Sequence, residues 1–186
     1  MNKPSLRLQQ ALYALQAGGV IACPTEAVWG LSCDPDNATA VRHLLELKQR
    51  PLSKGLILIA SDIRQINALL TGLSQAQLSK LNLSWPGATT WLLPHRDQIP
   101  AWIHGGRATV AVRVTAHPVM TALCRAWGGP LVSTSANPGG CQAARTRFQV
   151  QRYFGGALDA IVPGVTGGAN RPSMIRDLLG DTVVRR

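Results

Sequence analysis

Short, continuously apolar runs alternate along this chain with segments of helical period, and that alternation narrows the fold more than any other feature. Leu8, Ala11, Leu12 and Leu15 share one helical face, and Gly18-Gly19 stops it. Residues 20–23 then read as a short buried strand ending at Pro24, followed by a loop over 24–30. Asp36 or Asn37 caps a second helix, which turns Val41, Leu44 and Leu45 inward. That helix ends near Lys48, because Pro51 disfavours helical geometry at Arg50. Leu56-Ile57-Leu58-Ile59 is apolar throughout, as suits a central strand. Helices are further expected over 62–70, 74–83, 117–127 and 147–154, and strands over 89–93, 109–114, 131–134, 161–162, 174–178 and 182–185. In 186 residues this order implies one α/β domain spanning 1–186, with a mixed, twisted sheet and flanking helices.

Apolar residues make up 46% of the chain, enough to fill one core. Charged residues are only 15%, below the usual quarter or so, which makes each of them informative. Nineteen are basic and nine acidic, a formal charge of +10. Such a balance favours polyanions, whether nucleotides, RNA or acidic membranes, although a basic surface also serves solubility alone. Cys23, Cys33, Cys124 and Cys141 form no Cys-x-x-Cys pair, and His43, His95, His104 and His117 show no metal spacing, so no protein-bound metal is expected. The cysteine usage fits a reduced, cytoplasmic protein. No signal peptide and no membrane-spanning run is evident. Walker-type phosphate loops, Gly-x-Gly-x-x-Gly fingerprints and Gly-x-Ser-x-Gly elbows are all missing. The five Trp do not interleave with basic residues and read as packing.

Four constellations carry chemistry. Lys48, Arg50 and Lys54 lie within seven residues, and no acid follows until Asp62. A triphosphate would screen their repulsion, with Arg as a fork and Lys as a point charge. Complementing a helix dipole explains Lys48 equally well, and spacing does not decide. Ser133, Ser135 and Asn137 follow an apolar strand, where open α/β sheets bind ligands, though such residues also build ordinary turns. Thr25 and Glu26 follow the first strand. Glu26 reads either as a general base or magnesium contact, or as a cap or partner of an Arg. In residues 109–114, alternation sets Thr109, Ala111 and Arg113 on one face, and a buried Arg there needs a carboxylate from a ligand or from the protein.

Pro24-Thr25-Glu26-Ala27-Val28-Trp29-Gly30, Lys48-x-Arg50-Pro51, Arg113 and Ser133-x-Ser135-Ala136-Asn137 occur in that order. Together they resemble the YrdC/TsaC family of threonylcarbamoyl-AMP synthases over nearly the whole chain, in its short one-domain bacterial form. The resemblance implies a twisted mixed sheet with a basic concave face. It also implies a nucleotidyltransferase that condenses L-threonine, bicarbonate and ATP to threonylcarbamoyl-adenylate and pyrophosphate. Downstream threonylcarbamoyl-transfer proteins would then modify adenosine 37 of tRNA, with tRNA contact through the basic face left open. Magnesium would travel with the ATP phosphates rather than on protein ligands. By the same resemblance, Lys48, Arg50 and Lys54 contact ATP phosphates, with Lys48 and Arg50 the catalytic cations. Thr109, Ser133, Ser135, Asn137 and Arg185 would hold the nucleotide, and Thr25, Arg113 and Ser173 the threonine. Two positions depart from longer relatives, Ala27 for Thr and Ile59 for His, both expected near the threonine. Two rival readings are a basic module binding tRNA or structured ribosomal RNA, and a carbamoyl-adenylate enzyme with another acceptor.

Overall fold

The computed structural model describes residues 5–185. Its strands are β1 (Ile21–Pro24), β2 (Trp29–Ser32), β3 (Ile57–Ala60), β4 (Thr89–Pro94), β5 (Thr109–Val114), β6 (Leu131–Ser135), β7 (Ala160–Ile161), β8 (Met174–Asp177) and β9 (Thr182–Arg185). The helices are α1 (Leu6–Gln16), α2 (Ala38–Leu47), α3 (Asn67–Leu70), α4 (Gln75–Ser84), α5 (Ala101–His104), α6 (Pro118–Trp127) and α7 (Arg147–Phe154). The strands make one sheet in the order β7-β1-β2-β6-β3-β5-β4-β8-β9. β1/β7, β3/β5 and β4/β8 pair in parallel; the other neighbours are antiparallel. The expected mixed α/β sheet is the one found.

Alternation along the strands divides the core in two. Ala22, Leu58, Val112 and Val132 face a large cluster with Val41 and Leu44 of α2, Leu81 of α4, Ile103 of α5 and Val150 of α7. Ile21, Cys23, Ile59 and Leu131 face the other way, against Ala11 and Leu15 of α1 and Met120, Leu123 and Cys124 of α6. Caps fix the helix starts. Asn37, not Asp36, caps α2, accepting from the N–H groups of Thr39 and Ala40 at 3.1 and 3.0 Å. Ser74 and Gln77 form a capping box on α4, as Thr146 and Gln149 do on α7.

Two expectations need correction. The loop over 24–30 is a tight turn whose far end is already strand: the Thr25 N–H donates to the Val28 carbonyl at 3.1 Å, and Trp29 begins β2. Pairing with β1 and the burial of Trp29 override the turn-like composition. The helix over 62–70 is broken into a 3-10 turn, Ile63–Ile66, and the short α3. Asp62 tightens that turn by accepting from the Arg64 N–H at 2.9 Å. The short α5, which sequence periodicity does not reveal, packs near the phosphate-type cluster after α2.

Candidate functional site: a cation-lined cavity on the open part of the sheet

α1 and α6 cover only part of their sheet face. Over the remainder, β2, β5 and β6 present small or polar residues, among them Gly30, Thr109, Ala111, Ser133 and Ser135, and a cavity of about 320 Å³ opens above them. Gly30 keeps the approach close there, since a Cβ would sit 3.2 Å from the Thr134 carbonyl and 3.5 Å from the Thr25 methyl.

The expected site residues converge on this cavity with one exception. Thr25 lines it from the turn after β1, Arg50 and Lys54 from the segment after α2, and Thr109 and Arg113 from β5. Ser133, Ser135 and Asn137 line it from the end of β6, Ser173 from the entry to β8, and Arg185 from β9. Lys48, expected at the phosphates, does not line it. The residue is only 4% exposed, and its ammonium donates to the backbone carbonyls of Ser135 and Asn137, the latter at 2.9 Å. The Gly139 N–H closes the brace by donating to the Lys48 carbonyl at 2.8 Å. The cation at the end of α2 therefore supports the β6 loop from behind. Burial, and then the charge of Arg50, push the Lys48 amine down to about 8.

The β6 loop is satisfied largely from within. The Ser135 hydroxyl donates to Asn137 Oδ1 at 2.6 Å, and Asn137 Nδ2 donates to the carbonyls of Pro138 and Cys141 at 3.0 and 2.8 Å. Asn137 thus shapes the loop. The Thr25 hydroxyl likewise donates to the Val28 carbonyl at 2.7 Å and holds its turn.

Glu26 resolves as the partner of Arg113. Its Oε2 lies 3.3 Å from Arg113 Nη2, while Oε1 accepts from the Thr115 hydroxyl at 2.6 Å and the Ala116 N–H at 3.2 Å. Burial raises the Glu26 carboxyl, but Arg113 and these hydrogen bonds outweigh it, and the net shift is downward. Among the described residues, the buried Nε–H groups of Arg113 and Arg50 have no acceptor. Arg50 is tied by Nη2 to the Gly55 carbonyl at 2.9 Å. At the opposite side, Arg185 donates to the Ser173 carbonyl at 3.1 Å, and the Ser173 hydroxyl shares a 2.8 Å hydrogen bond with that of Thr90.

Of the two departures, Ala27 lines the cavity but Ile59 does not. Ile59 is the register partner of Arg113, yet it is fully buried beneath Met120, Leu123 and Cys124. Among the titratable residues of the lining, Arg107 and His104 were not singled out by sequence reasoning. The signal for Arg107 was its place, directly after Gly105-Gly106 and just before β5.

The cavity lining carries Arg50, Lys54, Arg107, Arg113 and Arg185 and no Asp or Glu. Burial depresses Arg50, and repulsion from Arg107 and Arg185 adds to it. Such a site suits a ligand with several negative charges. Among the described residues no group of His, Cys, Asp and Glu is placed to hold a metal, and no helix is long and apolar enough to cross a membrane.

Known proteins share this architecture. Threonylcarbamoyl-AMP synthase of Saccharophagus degradans is 52% identical over 179 residues, covering 96% of this chain and 94% of that protein. The threonylcarbamoyl-AMP synthase of Pseudomonas putida is 53% identical over 181 residues, covering 97% of each. The structure of P. abyssi Sua5 complexed with L-threonine is 28% identical with a TM-score of 0.88; the match covers 96% of this chain but 53% of that one, so this chain spans about half its length. E. coli YciO, at 24% identity, shares the fold with a TM-score of 0.86 over 100% of this chain and 91% of that one. Residues 13–186 match the Sua5/YciO/YrdC family, described as "Telomere recombination". With that match and with more than half identity to full-length relatives, the chain belongs to the Sua5/YciO/YrdC family.

Proposed function

We propose that this chain is a nucleotidyltransferase that joins L-threonine, bicarbonate and ATP into threonylcarbamoyl-AMP and releases pyrophosphate. The observation that carries this reading is the convergence of Arg50, Lys54, Arg113 and Arg185, with no acid among the lining residues, on the cavity bordered by the β6 loop. Two relatives with more than half identity bear the name of that activity.

In this reading Arg113 grips the threonine carboxylate, which gives its buried Nε–H an acceptor. Glu26 occupies the other part of the guanidinium and fixes its orientation. Thr25 and Ser173 border the amino acid. The threonine amine loses a proton as it adds to carbon dioxide, or displaces water from bicarbonate, to give a carbamate; a carbamate oxygen then attacks the α-phosphorus of ATP, and the bond to the departing pyrophosphate breaks. No protein nucleophile is needed, so catalysis rests on positioning and on charge stabilisation by Arg50 and Lys54. Lys48 keeps the β6 loop, with Ser133, Ser135 and Asn137, in register for the nucleotide, and Thr109 and Arg185 complete that enclosure. Magnesium would enter as part of the nucleotide substrate. The lining carries no carboxylate for it, so phosphate and water oxygens would be its ligands. The product would pass to proteins that transfer threonylcarbamoyl to adenosine 37 of tRNA, and we place the reaction in the cytoplasm, where free thiols such as those of this chain persist.

The deciding assay is pyrophosphate release from ATP with threonine and bicarbonate omitted in turn. Release should stop in both omissions. Release that ignores them would sink the threonylcarbamoyl reading, and release that needs bicarbonate but not threonine would indicate another acceptor.

A further inference from the structure

Arg107 stands apart from the other cavity cations in how it is held. Its backbone is fixed on both sides by a pair of stacked imidazoles, while its guanidinium has no hydrogen-bond or ion-pair partner among the described residues. His95 is buried, and its Nδ1 accepts from the Asp97 N–H at 3.1 Å. The proton therefore sits on Nε2, which donates to the Arg107 carbonyl at 2.7 Å. The His104 ring stacks on His95, with centroids 4.0 Å apart and planes 16° from parallel. His104 Nδ1 accepts from the Gly106 N–H at 3.2 Å, on the other side of Arg107.

The same turn is pressed against the segment that bears Lys54. Gly105 has φ +64, and a Cβ there would lie 2.6 Å from the Leu52 carbonyl and 2.9 Å from the Gly55 nitrogen. No side chain fits, so the turn carrying Arg107 and the turn carrying Lys54 lie in direct contact. Gly55 is also the residue whose carbonyl receives Arg50. Arg50, Lys54 and Arg107 thus belong to one packed unit at the cavity wall.

We propose that Arg107, positioned by the His95–His104 stack, is a binding residue for the leaving pyrophosphate end of the nucleotide, beside Lys54. This rests on the adenylate-forming reading above and extends it. Three arguments carry it. A fixed backbone under an unpartnered Arg lowers the ordering cost of clamping an anion. The convergence of cations without an acid exceeds what a single carboxylate would neutralise and matches a polyphosphate. Arg107 also precedes β5, and Arg113, the threonine end, lies at the far end of that strand, about 20 Å away at strand rise. The amino acid and the outer phosphates then occupy opposite ends of β5, with the α-phosphorus between them. His95 touches no substrate in this arrangement and acts through the Arg107 backbone as a positioning residue.

The test uses the full chain and measures binding by calorimetry to inorganic tripolyphosphate and, separately, to AMP. Arg107→Gln should weaken tripolyphosphate about tenfold, the loss of one charge-assisted contact, and leave AMP within about twofold. His95→Leu should weaken tripolyphosphate similarly, and His95→Gln, which retains a donor near Nε2, should recover most of the affinity. Unchanged tripolyphosphate affinity in Arg107→Gln overturns the assignment, and so does an equal loss for AMP. A folded His95→Leu chain that binds AMP and tripolyphosphate as the parent does would overturn the positioning role. These titrations contain neither threonine nor bicarbonate, so their outcome is separate from that of the pyrophosphate-release assay.

Discussion

At the end of β6, the loop from Ser135 to Cys141 is fastened by Lys48 from behind and by Asn137 from within, with almost every polar group paired. Across the cavity, β9 is exposed at all four of its residues and ends the sheet, and it brings Arg185 to the cavity on an edge strand. What steadies that edge lies largely in solvent: Arg176 and Lys80 pair with Asp181 at 3.0 and 2.8 Å, and Arg176 lies 4.7 Å over the Trp91 ring. A register shift between Ile175 and Arg176 loosens the ladder further. The two walls present similar chemistry but differ in what a substitution removes. At β6, a lost donor leaves half-buried carbonyls short of a partner. At β9, water replaces what is lost.

That contrast can be broken by measurement. The largest effect is expected at Arg50, between the two walls on the segment after α2, where it is tied to the Gly55 carbonyl. Arg50→Ala should lower adenylate formation on the order of 10³-fold, as removal of a charge-stabilising donor does, with the circular dichroism spectrum unchanged. Unchanged turnover would reduce Arg50 to a brace for the Gly55 turn. Next comes Lys48→Met. It takes the ammonium from the Asn137 carbonyl and from the Ser135 carbonyl, which keeps the Asn137 N–H at 3.0 Å, and should cost about 1–3 kcal/mol in urea unfolding at pH 7. Its pH dependence has a definite sign. The Lys48 amine loses its proton near 8 in the folded chain but near 10.5 when unfolded. Between those values the unfolded chain holds the extra proton, so the parent's stability should rise with pH through that window. Lys48→Met should remove that slope, and a slope that persists would show that Lys48 is not its origin. The smallest effect is expected at the edge. Arg185→Ala should raise the KM for ATP about tenfold while stability stays within about 0.5 kcal/mol. A destabilisation matching that of Lys48→Met would erase the distinction between the walls.

Local pattern made much of the fold legible. α2 and α6 follow from their apolar spacing and their ends, and β3 and β5 from their apolar or alternating runs, because period and caps are properties of neighbouring residues. β2 was hidden because Trp29-Gly30 follows turn-forming residues, and its strand character comes from pairing with β1 and β6. Ile59 was expected at the pocket; its alternation places it on the correct face, but α6, distant in sequence, covers it.

From the sequence alone came the α/β class, the set of basic and hydroxyl residues available for an anion, and the family resemblance that grouped them. The tertiary structure decided what each was used for. Lys48 donates to the carbonyls of the β6 loop, Glu26 pairs with Arg113, and Arg107 reaches the cavity on a turn that no periodic segment marks. The physical reason is the same in each case. A charge reveals its type in the sequence, but whether it meets a carbonyl, a carboxylate or an open cavity depends on chain segments that only long-range packing brings together.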